Sequence, residues 1–395
     1  MLIESERRIP EAGEYDVVVV GGGIAGVAAA LAGARNGAKV CLLEKMFGLG
    51  GLATLGNVII YLPLCDGMGR QVIGGIGEEL LKLSVRETPD AIPCCWREGG
   101  GKEERKSLRY QVAFNPASYM LALEEAVVGA GVDVWYDTRF CEVVKSGEKI
   151  EWVLVENKSG RLAIKCKAVV DASGDADVCA RAGEEMISLR TNVRSGWFYY
   201  SKGGKVELNC LSKGFDPLGG KMPEDDFAYA GDRGKDVSEQ VLETRKLIRE
   251  ELKILQKKYP DFRIEPILPP TIPCLRMTRR LKGRIELNET DDHRWFDDCV
   301  GMTGDWRKNG PIYYLPLRVL TAVKTTNLIT AGRCISANTA WDVTRVIPTC
   351  AVTGEAAGVA AAMAAAQTEG DISKVEIADL QMQLKRQNVL LERQD

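Results

Sequence analysis

Three observations predict an α/β fold with a parallel central sheet, an antiparallel β-meander and a separate mixed α+β region. The β-branched run at 17–20 is followed by three glycines and an alanine-rich stretch, which reads as strand, tight turn and helix. Short alternating segments between 139 and 171 read as the meander, ending in "AVVDASGD". Near the C-terminus a second strand-like run, "NLITAGRCIS", leads into a small-residue helix, "IPTCAVTGEAAGVAAAMAAA".

The first element is the segment 15–45, "YDVVVVGGGIAGVAAALAGARNGAKVCLLEK". Its uncharged run from 17 to 34 nearly has the length of a membrane span, which needs about 20 apolar residues. Three features argue against a span: the β-branched start, the three consecutive glycines, and the acidic flank of Glu14 and Asp16. A buried strand at 15–20, a helix from about 25 to 36 and a second strand ending in Glu44 account for every residue. Gly21, Gly23 and Gly26 form GxGxxG at the turn. Gly21 permits the turn, Gly23 lets backbone approach a pyrophosphate, and Gly26 lets helix and strand pack closely. The helix N-terminus faces the anion, and Glu44 is placed to accept hydrogen bonds from ribose hydroxyls. The unit is a Rossmann-like dinucleotide site.

Composition bounds the rest. A chain of 395 residues that is 45% hydrophobic and 27% charged can bury a sizeable core in one or two domains. A net charge of −3 argues against nucleic acid or a polybasic membrane surface as partner. Twelve cysteines without a CxxC pair predict reduced thiols in a cytoplasmic protein. The single histidine, His293, lies among acidic residues in "ETDDHRWFDD" and reads as a surface or structural residue. No metal site is predicted, because multi-histidine ligation is impossible.

A second glycine-rich turn, "GLGGLATLGN" at 48–57, would lay further backbone amides along an extended cofactor. A helix at 116–129 precedes a strand at 132–136, and Pro348 suits the first turn of the last long helix. The segment 197–210 reads as a hairpin turning at Gly203 and Gly204, its aromatics as sheet core in preference to a wall over the flavin. The segment 238–260 reads as an amphipathic helix with Val241, Ile248, Leu252 and Leu255 inward. Another glycine cluster, "VIGGIGEELL" at 72–81, lacks a strong preceding strand and a later acid. NAD(P)H is therefore not expected to bind tightly as a direct reductant.

Seven ordered motifs carry a family resemblance: the GxGxxG unit ending in Glu44, "GGLAT" (50–54), "DASGDAD" (171–177), "RMTRRLKG" (276–283), "YYLPLRVL" (313–320), "NLITAGRCISA" (327–337) and "RVIPTCAVTGEAAG" (345–358). With them the chain resembles the FAD-dependent oxidoreductases of the glutathione-reductase-like superfamily, over most of its length. The resemblance implies non-covalent FAD in contact with Gly21, Gly23, Ile24, Ala25, Gly26, Glu44, Lys45, Gly50, Gly51, Ala53, Thr54, Ala172, Ser173, Gly174, Asp175, Gly332, Arg333 and Cys350. It also implies that the helix after Pro348 points at the flavin, where a positive helix end favours the anionic reduced ring. Similar sequences often carry a histidine after the "CISA" segment; "CISANTAWDVTR" has none.

The FAD-binding parts are expected at 1–62, 111–190 and 311–370, with cap or substrate regions at 63–110 and 191–310 and a C-terminal helix in 371–395. Residues 1–14 read as a surface strap. Arg345 and Arg279 are the candidates to clamp an anionic substrate, with Arg276 an alternative to Arg279 on the basic strand, where Arg276 and Arg280 would share a face. Asp342, Tyr313 and Tyr314 are candidates for proton transfer. The expected activity is hydride transfer between a small polar or anionic substrate and flavin N5, with an electron donor or acceptor that the sequence does not identify. A flavoprotein subunit serving a redox partner and a flavin monooxygenase are the alternatives. Gly332-Arg333 stands where monooxygenases usually carry Gly-Asp, which weighs against the last.

Overall fold

A computed structural model describes residues 6–212 and 228–393. The central sheet draws on β1 (Glu11–Val20), β2 (Val40–Leu43), β3 (Asp133–Trp135), β4 (Arg139–Ser146), β5 (Lys149–Asn157), β6 (Gly160–Asp171) and β7 (Leu328–Thr330). The order β3-β2-β1-β6 is parallel throughout. The far edge of β6 is divided. Its first half pairs antiparallel with β5, which pairs with β4, and its end pairs parallel with β7. Asn327, fully buried, stitches that junction. Its amide donates to Ile150 O at 2.8 Å and Lys167 O at 2.7 Å, and its carbonyl accepts from Ile150 N at 2.8 Å.

β1 begins earlier than the sequence suggests. Residues 11–14, read as a strap, extend the ladder against β6 through a register shift between Glu11 and Glu14. The long β6 presents ladder groups there that need partners.

Six helices organise the molecule: α1 (Ile24–Arg35), α2 (Gly75–Ser84), α3 (Pro116–Gly129), α4 (Gly234–Lys258), α5 (Ile347–Gln367) and α6 (Ile377–Arg386). Among the described residues, α5 alone is long and apolar enough to cross a membrane, and it is mostly buried inside the protein. It lies against α1 at close range. A Cβ on Gly354 would sit 2.2 Å from Ala25 O, and one on Gly358 2.2 Å from Ala29 O. Only hydrogen fits there, and every residue of α1 from Ile24 to Gly33 is buried as a result.

The cap hairpin pairs Gly196–Lys202 with Lys205–Leu211, turning at Gly203 and Gly204 with φ of +55 and +83. Ile264–Leu268 adds a third strand. Phe198 and Tyr200 pack with Ile248 and Leu255 of α4 in a small core of their own, so these aromatics are sheet core. The basic segment is less regular than a strand over 276–283. Only Arg279–Leu281 pairs, with Met186–Ser188, so Arg276 precedes the strand and shares no sheet face with Arg280.

The second glycine cluster has an internal purpose. Glu355, in the middle of α5, places Oε2 where it accepts from Ile76 N at 2.8 Å, at the start of α2. A Cβ on Gly75 would lie 2.5 Å from that oxygen. This helix end is occupied by a carboxyl group of the chain itself. Burial, reinforced by Glu79 and opposed by the Ile76 amide and Arg35, pushes Glu355 up to about 8. The folded state therefore retains a proton that the unfolded chain, with a value near 4.5, releases first. Stability from this group is complete below pH 4.5 and lost as pH rises through about 8. Glu355→Gln removes that dependence. Its melting temperature should match the parent's at pH 5 and exceed it by about 3 °C or more at pH 9. Parallel melting curves across that range would rule the argument out.

Candidate functional site

The parallel strands β1, β2, β6 and β7 end on one side of the sheet, the edge at which α/β folds bind their ligands. A cleft opens there, with about 1570 Å³ between its walls, part of it open solvent. The first βα turn supplies its floor. Gly21 has a φ of +103, and a Cβ on it would sit 2.5 Å from Ala172 O. A Cβ on Gly26 would lie 1.8 Å from Gly21 O, so this glycine closes helix onto strand and does not face the cleft. Gly23 is different: it lines the cleft, and a Cβ there meets nothing within 4 Å. The free space lies where a pyrophosphate needs bare backbone. Neither α1 nor α5 has a side-chain cap, so the first amides of both helices remain available to an anion.

Glu44 stands at the end of β2. Its Oε2 accepts from Gly22 N at 2.7 Å and its Oε1 from Met46 N at 2.8 Å. Burial pushes its pKa up against those two bonds. Each oxygen keeps a lone pair for a ribose hydroxyl. The second glycine turn docks on the first through Gly50 N, which donates to Gly22 O at 2.8 Å. Gly50, Gly51 and Ala53 line the cleft, whereas Thr54 does not. Its hydroxyl donates to Leu49 O at 2.5 Å and braces the turn from behind.

Ile24, Ala25, Lys45, Ala172, Ser173, Gly174, Asp175, Gly332, Arg333 and Cys350 also line the cleft. Arg333 donates to Gly174 O and to Asp175 Oδ1, both at 2.8 Å, tying the end of β6 to the turn after β7. Burial pushes the Cys350 thiol up to about 12, and it donates to Arg345 O at 3.3 Å, so it is an inert wall.

The catalytic candidates separate. Arg345 lines the cleft, and so does Arg276. Arg279 does not line this cleft; it donates to Asp175 O at 2.8 Å and Asp177 Oδ1 at 2.7 Å, outside the wall that Arg345 occupies. An Arg345–Arg279 clamp is therefore not formed, because Arg279 is spent on the two aspartates after β6. Burial, then Asp175 and Asp171, push the Asp177 carboxyl up to about 6, although Arg279 pulls it down. Asp342 is an ion-pair partner: its Oδ1 accepts from Arg345 Nε at 3.0 Å and from Arg345 Nη2. Tyr313 and Tyr314 are fully buried in the strand Ile312–Pro316 and do not reach the cleft. His293 is a surface residue, 2.7 Å from Asp292.

Arg276 and Arg345 form the pair that the cleft brings together. Burial, then the Arg345 cation, hold the Arg276 guanidinium down to about 10, with Asp342 acting the other way. Apolar side chains also line the cleft, among them Leu52, Leu55, Ile272, Pro273, Leu275 and Ile347. Sequence reasoning missed the 271–275 loop and the group Thr138, Arg139 and Phe140 beside Glu44. Thr271 N donates to Leu55 O at 2.9 Å, a contact across 216 positions that no local pattern announces.

The residues present fit FAD: an open glycine at the phosphate position, a buried acid for ribose, two uncapped helix ends and a long apolar wall. Glu44→Ala should weaken FAD binding about tenfold or more, since charge-assisted bonds contribute roughly 1.5–3 kcal/mol. Glu44→Gln, which keeps one acceptor oxygen, should lose less. Equal FAD content in all three proteins after exhaustive dialysis would refute the assignment.

Among curated proteins, the NADH:fumarate oxidoreductase of Klebsiella pneumoniae is 29% identical over 187 residues, 40% of this chain and 20% of that protein. A Methanosarcina barkeri protein named for the nifH2 5′ region is 30% identical over 203 residues, 47% of this chain and 100% of that protein. The thiamine thiazole synthase of Metallosphaera sedula is 25% identical over 185 residues, 44% of this chain and 59% of that protein. The chain thus spans less than two thirds of the Klebsiella and Metallosphaera proteins. Among solved structures, a geranylgeranyl bacteriochlorophyll reductase-like protein of Thermoplasma acidophilum has a TM-score of 0.46 at 14% identity, covering 95% of this chain and 83% of that one. The model of the FAD dependent oxidoreductase family matches residues 16–191 and 189–384, nearly the whole described chain. The protein belongs to that family.

Proposed function

We propose that the protein is a dehydrogenase or reductase for a small anionic substrate, which Arg276 and Arg345 hold at one end of the cleft. One observation carries the reading: Arg276 and Arg345 both line the cleft, near enough for the Arg345 cation to lower Arg276. An anion between them relieves the repulsion, and a planar carboxylate suits the planar fork of arginine. FAD, when bound, supplies two-electron chemistry, taking or giving a hydride at N5. The chain's own groups bind and orient. Arg345 is backed by Asp342 and stacked at 4.8 Å on Trp341, which limits its rotation. Leu52, Leu55, Ile272 and Leu275 keep water from the reacting end. The name of the Klebsiella relative, NADH:fumarate oxidoreductase, is that of an enzyme acting on a carboxylate, in keeping with this reading. Twelve unbridged cysteines suit a reducing compartment such as the cytoplasm.

Arg345→Lys should slow anaerobic reduction of the flavin by its substrate about tenfold or more, because an ammonium cannot reproduce the fork. FAD content should stay at the parent level. Screening a panel of carboxylates and neutral analogues by flavin bleaching identifies the substrate. A rate loss that only follows loss of FAD would reduce Arg345 to a structural residue.

We also propose that FAD is held without a covalent bond, since Cys350 is inert and His293 does not line the cleft. Acid precipitation should release yellow flavin into the supernatant, and colour kept in the pellet would contradict it.

A further inference from the structure

The strands Cys299–Gly304 and Ile312–Pro316 are antiparallel, and the turn between them, 305–310, reaches residue 342 twice. Trp306 Nε1 donates to Asp342 O at 3.1 Å, and Arg307 Nη1 lies 3.7 Å from Asp342 Oδ2. The turn is held rigidly for this. Asp305, fully buried, accepts from Arg307 N at 2.9 Å, Nε at 3.0 Å and Nη2 at 2.8 Å. Arg307 Nη2 also donates to Glu289 at 2.6 Å. From the other side, Arg109 donates to Trp306 O at 2.7 Å and to Asn309 Oδ1. A chain of alternating charge therefore runs from the surface to the cleft: Glu289, Arg307, Asp342, Arg345.

We infer that Arg307 is a positioning residue for Arg345: it engages the second oxygen of Asp342, so that the carboxylate offers Arg345 one oxygen and neutralises it only in part. The inference rests on the reading that the cleft arginines receive an anion. Coulomb potentials add, so the positive charge of Arg307 offsets part of the Asp342 charge felt at the cleft. Arg345 thus keeps its orientation, through Asp342 Oδ1 and Trp341, together with positive potential for a ligand. Without Arg307, the whole Asp342 charge turns to Arg345, and the cleft loses attraction for anions although no residue on its wall has changed.

The test uses the full FAD-loaded chain titrated with benzoate, whose carboxylate suits the arginine pair and whose ring suits the apolar wall. The readout is the change in flavin absorbance. Arg307→Met should raise the benzoate Kd about fivefold, the effect of roughly 1 kcal/mol from a partly exposed charge. Arg307→Lys, which keeps the charge, should stay within about twofold. FAD content should be equal in both. If Arg307→Met fails to fold because Asp305 is left without its partner, the double variant Asp305→Asn/Arg307→Met takes its place and should show the same weakening. Benzoate binding at the parent level in Arg307→Met or in the double variant overturns the inference, as does equal weakening by Met and Lys. Arg345→Gln separates the two readings. If it abolishes the benzoate response while Arg307→Met leaves it intact, only the positioning role falls. If the parent gives no response, or Arg345→Gln keeps it, the anion site falls as well.

Discussion

The depth at which α5 sinks onto α1 determines where the ligand-binding groups stand. Gly354 and Gly358 allow the two helix backbones to meet at Ala25 and Ala29, where a single added carbon would lie 2.2 Å from a carbonyl oxygen. Both helices begin at the cleft, with Ile24 and Ile347 on its wall. Their uncapped ends are thus directed into one space by a contact a few turns away. A larger residue at 354 would lever α5 outward and carry with it Cys350, Ile347 and the segment that bears Arg345. Helix propensity would favour alanine at these positions, and packing overrides it.

The same contact explains which parts of the molecule were legible in the sequence. The first βαβ unit is local: hydrophobic run, glycines, small residues and terminal acid lie within thirty-odd positions, and the period of each element shows directly. Gly21, Gly23 and Glu44 take the places that their spacing suggests, because the chemistry of the turn demands those residues. Gly75 looked like a weaker version of the same signal. It differs through Glu355, which lies 280 positions away and fills its helix end. No local pattern distinguishes a glycine that makes room for a phosphate from one that makes room for a buried carboxylate.

The arginines were legible as charges and not as partners. The "RMTRRLKG" segment promised alternation, yet only three of its residues pair as a strand. Arg276, Arg279 and Arg280 therefore go to three destinations: the cleft wall, the aspartates after β6, and Glu286 with Asn338. Asp342 was a candidate for proton transfer only because no suitable histidine is present, and it lies three residues before Arg345. Three positions within a helical turn is also the spacing at which an acid and an arginine meet, and that is the use made of it. Distinguishing the two roles needs the position of the turn 305–310, which is set by strand pairing.

Charge around the cleft follows one rule. Arg333 has Asp175 and Arg345 has Asp342, so two of the cations that line the cleft are already matched. Backbone amides and helix ends then offer the pyrophosphate dipoles, which impose no net charge of their own and suit a cofactor that stays bound. Arg276 and Arg345 stand together on the cleft wall, both within the field of Asp342. A site that keeps its cofactor by dipoles and its ligand by net charge separates the two tasks. Salt should then weaken the second interaction more than the first.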